Sequence, residues 1–360
     1  MEKSEENTVR SGPLISYKYL AVSITLSVAT MALVIWYTYT PDTLHYLVPK
    51  RLPGIFIAIA VTFLKVWFFA AKIRVLADEA ISFMAAVRIS LSWDFASAVT
   101  PSTIGGAPVA TYTMTREGIP LGKSSAIMLY SVMLDQFWYA IAVPIILISG
   151  IFFEVVPDEI GLVGNATMFL IYTGLLLYGA LLSYGLLVNP KAIKKVIKAI
   201  FRLPLLRRYS DSINAEAENL EAYSYELRKK PMNFVLKAFF YTTMNWLCKV
   251  ALPVIVVLSL LPGPEVLLVL RSLAMNLAFL IIPTPGGSGG VEGLFVLFLG
   301  PLIDRAAFIG LSVFVWRVIT YYFSLGIGIM AMLWYVNRSV SDKLEKINVK
   351  EEEKEELGQA

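Results

Sequence analysis

The chain has 360 residues, of which 57% are hydrophobic and only 16% charged, with a mean hydropathy of +0.67 and a formal net charge of +4. Soluble domains carry about a quarter charged residues, so a water-soluble globular fold is excluded. The single cysteine, Cys248, rules out an intrachain disulfide framework or a cysteine-based metal cluster. The lone histidine, His45, sits in a short loop beside Pro41 and Pro49, which leaves histidine triads and metal hydrolases without their usual parts.

Residues 1–18 are polar, and the apolar run that follows, 19–39, is succeeded by no small-residue cleavage site, so it is read as a first membrane span. Further runs long enough to cross a hydrocarbon core of about 30 Å lie at 52–73, 124–152, 161–188, 233–261 and 306–336. Two more stretches, 80–118 and 264–300, are apolar but interrupted by proline and glycine. They fit membrane hairpins or broken helices. Residues 189–232 carry ten lysines and arginines, among them Lys191, Lys194, Lys195 and Arg208, whereas the loop with Glu154, Asp158 and Glu159 carries none. The positive-inside rule then predicts a multi-pass protein of the cell membrane with the basic loop, the N-terminus and the 337–360 tail in the cytoplasm. Within the loop, Ile193, Val196, Ile197 and Ile200 share one face of a predicted interfacial helix. A polar helix follows from Ser210 to Lys230, ended by Pro231.

A motif recurs. Thr100-Pro101-Ser102-Thr103-Ile104-Gly105-Gly106 matches Thr284-Pro285-Gly286-Gly287-Ser288-Gly289-Gly290 as T-P-x-x-x-G-G, at an offset of 184 residues (284 − 100). The same offset carries Lys65 onto Lys249 and the second span of each half onto its counterpart. Each half (19–152 and 161–336) reads as span, span, broken hairpin, span, with 189–232 inserted in the second. Three crossings is an odd number, so the second half is expected upside down relative to the first. The expected fold is therefore all-α, with about eight membrane segments in two inverted repeats. Inverted halves broken at matching places point to a transporter site near the bilayer midplane. Proline and paired glycines at that depth free backbone groups that only protein or a watery cavity can cover, and a half-helix N-terminus attracts anions.

Ionisable residues inside spans are costly and mark functional sites by default. Here they are Lys65, Asp94, Asp135, Lys249, Arg271, Glu292 and Arg317, with Arg88 at the entry of the first hairpin. The basic members, beside half-helix N-termini, suit a phosphate or another anionic headgroup. Some are expected to pair with one another, for example Asp135 with Arg317.

The stretch Thr100 to Pro108, followed by Arg116-Glu117-Gly118-Ile119-Pro120, resembles the flippase-like transmembrane domain of lysylphosphatidylglycerol synthases. Pro283 to Gly293 resembles that family's second signature, and the likeness covers about residues 15–337. One departure is that many members carry an acidic or amide residue after the first Gly-Gly and an arginine a few positions later, where this chain has Ala107 and Ala110. The resemblance implies a membrane protein that moves lipids or lipid-linked molecules between leaflets. It does not imply aminoacyl transfer, which in that family belongs to a separate soluble domain.

The combined expectation is a flippase or scramblase that is not an enzyme and needs no cofactor and no metal. Its partners are membrane lipids with anionic headgroups; oligomerisation is open and nucleic acid is not expected. Lys65, Lys249, Arg271 and Arg317 would contact the headgroup, with Thr100, Pro101, Gly105, Gly106, Thr284, Pro285, Gly289 and Gly290 shaping backbone around it. Asp94, Asp135 and Glu292 would be counter-ions or proton carriers. Three other readings stay open: a transporter of a small soluble anion, a membrane-embedded enzyme, and a membrane subunit that only binds a partner.

Overall fold

The computed structural model describes residues 17–39, 52–100, 105–157, 160–192, 194–195 and 210–338. These residues form helices and no β-strand. In chain order they are α1 (Tyr17–Thr38), α2 (Leu52–Leu76), α3 (Phe83–Val99), α4 (Gly106–Arg116), α5 (Leu121–Ser149) and α6 (Gly161–Ser183). Then come α7 (Ser210–Arg228), α8 (Met232–Leu260), α9 (Glu265–Ala278), α10 (Gly290–Leu299) and α11 (Ala306–Arg317). A π-helical turn, Val318–Tyr322, carries α11 onward as one rod to Arg338. The predicted interfacial helix, Pro101, Asp158, Glu159, His45 and the tail beyond Arg338 lie outside the described residues.

Six helices are long and apolar enough to cross a membrane: α1, α2, α5, α6, α8 and α11 with its extension. Their outer faces are bare of polar cover. Trp36 is 83% exposed, and Leu170, Leu177 and Leu181 on α6 are all more than 60% exposed. A monomer in water does not leave that much contiguous apolar surface uncovered. Lipid does the covering.

The interrupted stretches become pairs of short helices, α3 with α4 and α9 with α10, each pair packed together. At 1.5 Å per residue, α4 (11 residues) and α10 (10 residues) reach about 16 Å, half of a 30 Å core. The repeat is kept to the residue: α4 starts at Gly106 and α10 at Gly290, the same 184 apart.

The halves are inverted, and α2 against α8 demonstrates it. These two equivalent helices form the most extensive helix pair of the molecule. Gly54, at the start of α2, lies against Ser259, at the end of α8. Midway, the Asn245 side-chain amide donates to the Lys65 carbonyl (2.8 Å). At the far end Asp78 pairs with Lys230 (2.5 Å). Equivalent helices that run antiparallel are related by an axis across their length, which is what an upside-down repeat requires. The remaining packing follows the same exchange: α1 lies on α11 of the other half, and α6 on α5.

Candidate functional site

A cavity of about 740 Å³ opens between the halves, walled by α3, α4 and α5 of the first and by α6, α7 and α8 of the second. At one end it meets the ionisable residues of the spans. Asp94 (α3), Asp135 (α5) and Lys249 (α8) all line it. Lys65 Nζ donates to Asp94 Oδ2 at 2.7 Å from behind. Lys72 Nζ donates to Asp135 Oδ1 at 3.2 Å, and the Trp246 indole N–H donates to the same oxygen at 2.9 Å. Each charge placed at mid-membrane costs about 3 kcal/mol on an insertion scale. Pairing and hydrogen bonding offset this for both aspartates.

Lys249 differs. Its ammonium lies 3.8 Å over the Trp246 ring, a cation–π contact that fixes its position, and it makes no ion pair among the described residues. Lys65, Lys72, Asp94 and Asp135 all lie within its electrostatic reach. At the other end of the cavity, Glu216 of α7 accepts a hydrogen bond from the Gly122 backbone N–H (2.7 Å).

The region around the second broken motif is closed. Glu292, fully buried, accepts from Arg317 Nε (2.7 Å), from Ser27 Oγ (2.8 Å) and from the Gly289 backbone N–H (2.8 Å). Its carboxylate thus occupies the N-terminus of α10, an end that attracts an anion. Ser23 on α1 meets Tyr321 (2.5 Å) and the carbonyls of Ala98 (2.8 Å) and Pro285 (3.0 Å). The two broken motifs touch here, because the Gly286 N–H donates to the Thr100 carbonyl at 3.3 Å. Gly286, Gly287 and Gly289 hold φ values of 60°, 65° and 87°, in the left-handed region that glycine enters freely.

Several sequence expectations are corrected. Asp135 does not pair with Arg317; its partners are Lys72 and Trp246, while Arg317 belongs to Glu292. The helical rotation about α5 and α11 turns the two side chains into different clusters. The four cations expected at one headgroup do not converge either. Lys65 and Lys249 share a cluster, but Arg271 donates to the carbonyls of Glu154 (2.9 Å) and Phe298 (3.2 Å), and Arg317 is locked in the closed region. Of the described motif residues, Gly106 packs beside the cavity wall, where Ser97 and Trp93 leave no room for a Cβ. Gly105 crowds Thr100 in the same way, and Thr100 Oγ1 caps Ala96 O (2.6 Å). Thr284 Oγ1 donates to Ser288 O (2.8 Å), and a Cβ at Gly290 would meet the Ile282 side chain at 2.7 Å, so Thr284, Pro285, Gly289 and Gly290 build the closed region rather than the cavity.

Sequence reasoning missed Lys72, which is fully buried, and Ser23 and Ser27. Each had a signal. Lys72 follows Lys65 by seven residues, two helical turns along one face, and Ser23 and Ser27 stand one turn apart in an otherwise apolar span.

Helices of membrane length in two inverted halves, each with a Pro/Gly-broken hairpin and with ion pairs around an internal cavity, define a polytopic membrane protein of the inverted-repeat class. The chain belongs to the family of the lysylphosphatidylglycerol synthase transmembrane region, whose model matches residues 20–328. It is similar to a UPF0104 membrane protein of Archaeoglobus fulgidus, with 22% identity over 336 residues, 88% of this chain and 97% of the relative.

Proposed function

We propose that the chain translocates a phospholipid or lipid-linked molecule with an anionic headgroup between leaflets, as a flippase or scramblase rather than an enzyme. The observation that carries this reading is Lys249, a lysine with no ion pair among the described residues that lines a cavity inside a membrane-spanning bundle. At about 740 Å³ the cavity falls within the 300–1,000 Å³ typical of small-molecule sites. The headgroup enters beside Lys249 while acyl chains stay in the lipid. The basic segment 189–232 supports a cytoplasmic position for α7, so the cavity faces the inner leaflet. The paired short helices act as re-entrant hairpins. The space beside the first broken hairpin is then open and that beside the second closed, the pattern expected when inverted repeats exchange conformations.

The test is leaflet exchange of headgroup-labelled lipids in proteoliposomes, read by a membrane-impermeant quencher. Protein-dependent exchange that falls at least tenfold in Lys249→Ala and in the Lys65→Ala/Lys249→Ala double variant is the expected result. Uptake of a soluble anion into the same vesicles, without lipid exchange, would overturn it.

A further inference from the structure

Resting on that reading, the spare charge of the cavity decides what must travel with the anion. Around the charged end stand three lysines, Lys65, Lys72 and Lys249, and two aspartates, Asp94 and Asp135. Lys65 and Lys72 are each tied to one aspartate, at 2.7 and 3.2 Å, so the formal balance of one positive charge resides on Lys249.

The helices around Lys249 offer it no free counter-ion among the described residues. From α2 come Lys65 and Lys72, themselves cations. From α5 come Tyr139 and Asp135, whose Oδ1 already accepts from Lys72 and from the Trp246 indole. Across the cavity α3 supplies Asp94, held by Lys65, while α4 and α6 supply the phenols of Tyr112 and Tyr178. Glu216 of α7 stands at the far end on the Gly122 N–H. The other helices packed on α8, α9 and α11, commit their buried cations elsewhere: Arg271 to two carbonyls and Arg317 to Glu292.

A cation so placed can be closed off from water in two ways. It can keep an anion against its ammonium, or it can give up its proton and close as a neutral amine. An unpaired ammonium is the costly form in apolar surroundings, and Met128, Leu129, Val132 and Leu280 make much of this wall apolar. The Trp246 ring, 3.8 Å from the ammonium, offsets only part of the lost hydration. Lysine has this choice and arginine does not. The two aspartates are already committed to their lysines.

We infer that Lys249 couples translocation to protons: the site changes sides either as the ammonium with one bound anion or as the empty neutral amine. One proton then accompanies each anion, and the cycle moves no net charge. In the loaded passage the proton sits on Nζ beside the anion. When the anion leaves, the proton passes to water on that side, and the neutral amine returns to take up another. A monoanionic phosphodiester meets this requirement whether it is a lipid headgroup or a free ion.

Two measurements test the coupling. In the first, dimethyl phosphate is added to the full chain in phosphatidylcholine nanodiscs, in weakly buffered solution between about pH 6 and 10. Anion binding should draw up to one proton per chain from solution over part of this range. None should be drawn in Lys249→Arg, which stays charged, or in Lys249→Met, which has no amine. In the second, proteoliposomes carry a trace of fluorescent phosphatidylglycerol, read by a membrane-impermeant quencher. A gradient of one pH unit should enrich the lipid about tenfold in the leaflet facing the alkaline side, because each anion moves with one proton. A potential of about 100 mV, which would distribute an uncoupled monoanion about fiftyfold, should shift nothing.

No proton uptake anywhere in this range, uptake that survives in Lys249→Met, or lipid that follows the potential would each overturn the inference. Lipid exchange indifferent to the pH gradient defeats the coupling and leaves the translocation reading standing. Proton uptake together with pH-driven entry of dimethyl phosphate into sealed vesicles, without exchange of any lipid, does the reverse and assigns the coupled anion to a soluble source.

Discussion

The Nε–H of Arg317 donates to Glu292 across 2.7 Å, in a place where Glu292 has no solvent exposure and Arg317 Nη2 has no hydrogen-bond partner among the described residues. The pair joins the second broken hairpin to α11. Breaking one member of a buried pair strands the other charge, at a cost of about 3–5 kcal/mol. Glu292→Gln and Arg317→Met should therefore each lower the thermal midpoint in detergent sharply. The double variant, which removes both charges, should recover much of the loss. Equal midpoints for the double and the worse single variant would show that the two residues are not coupled.

Lys72 and Lys249 sit on neighbouring helices near the same cavity, but their partners differ. Lys72 neutralises Asp135, and its loss as Lys72→Met removes that carboxylate's ion pair and leaves the Trp246 N–H as its hydrogen-bond donor among the described residues, costing about 3 kcal/mol. Lys249→Met breaks no ion pair among the described residues and should shift stability by less than about 1 kcal/mol, while leaflet exchange falls at least tenfold. Thermal midpoints and exchange rates measured on both variants separate a folding residue from a functional one.

Gly106 begins α4 with an ideal Cβ position 2.5 Å from Ser97 Oγ and 2.8 Å from Trp93 Nε1. Gly106→Val should force α4 away from α3, destabilising by about 1–3 kcal/mol. Gly174 in α6 offers the contrast, since nothing lies within 4 Å of its Cβ position. Gly174→Ala should raise stability by up to about 1 kcal/mol through helix propensity alone. Unfolding midpoints of the two variants moving in the same direction would contradict this account.

The antiparallel pairing of α2 and α8 predicts a cross-link. In a Cys248→Ser background, Gly54→Cys and Ser259→Cys should form an intrachain disulfide on mild oxidation, because these positions face each other across the two helices. A gel shift reversed by reductant reads it. Cross-linking of Gly54→Cys to a cysteine at Asn233 instead would mean parallel helices and halves that are not inverted.

Much of the fold was legible because the repeat is written in the residues that break helices. Proline and glycine act through the backbone, so T-P-x-x-x-G-G marks the same break wherever it stands, and α4 and α10 start in register with it. The pairing of charges was not legible, since it depends on how each helix is rotated about its axis. Asp135 and Arg317 stand on equivalent spans yet face different neighbours. The one-sided cavity had left a trace: the 184 offset takes Asp94 to Ala278 and Asp135 to Ile319, so the second half never had the carboxylates of the first. Lys72 was hidden by its place close to Arg74, where a lysine near the end of an apolar run reads as a surface anchor.

That unequal division of charge has a thermodynamic consequence. Two identical halves would make the inward and outward arrangements equal in energy. Here, under the proposed exchange, sealing the cavity would dehydrate the three ionised side chains that line it, Asp94, Asp135 and Lys249, whereas prising open the region around Glu292 would wet a single buried pair. The resting equilibrium is therefore tilted toward the arrangement described, and a bound anion that cancels the spare charge of Lys249 is what lowers the barrier to leaving it.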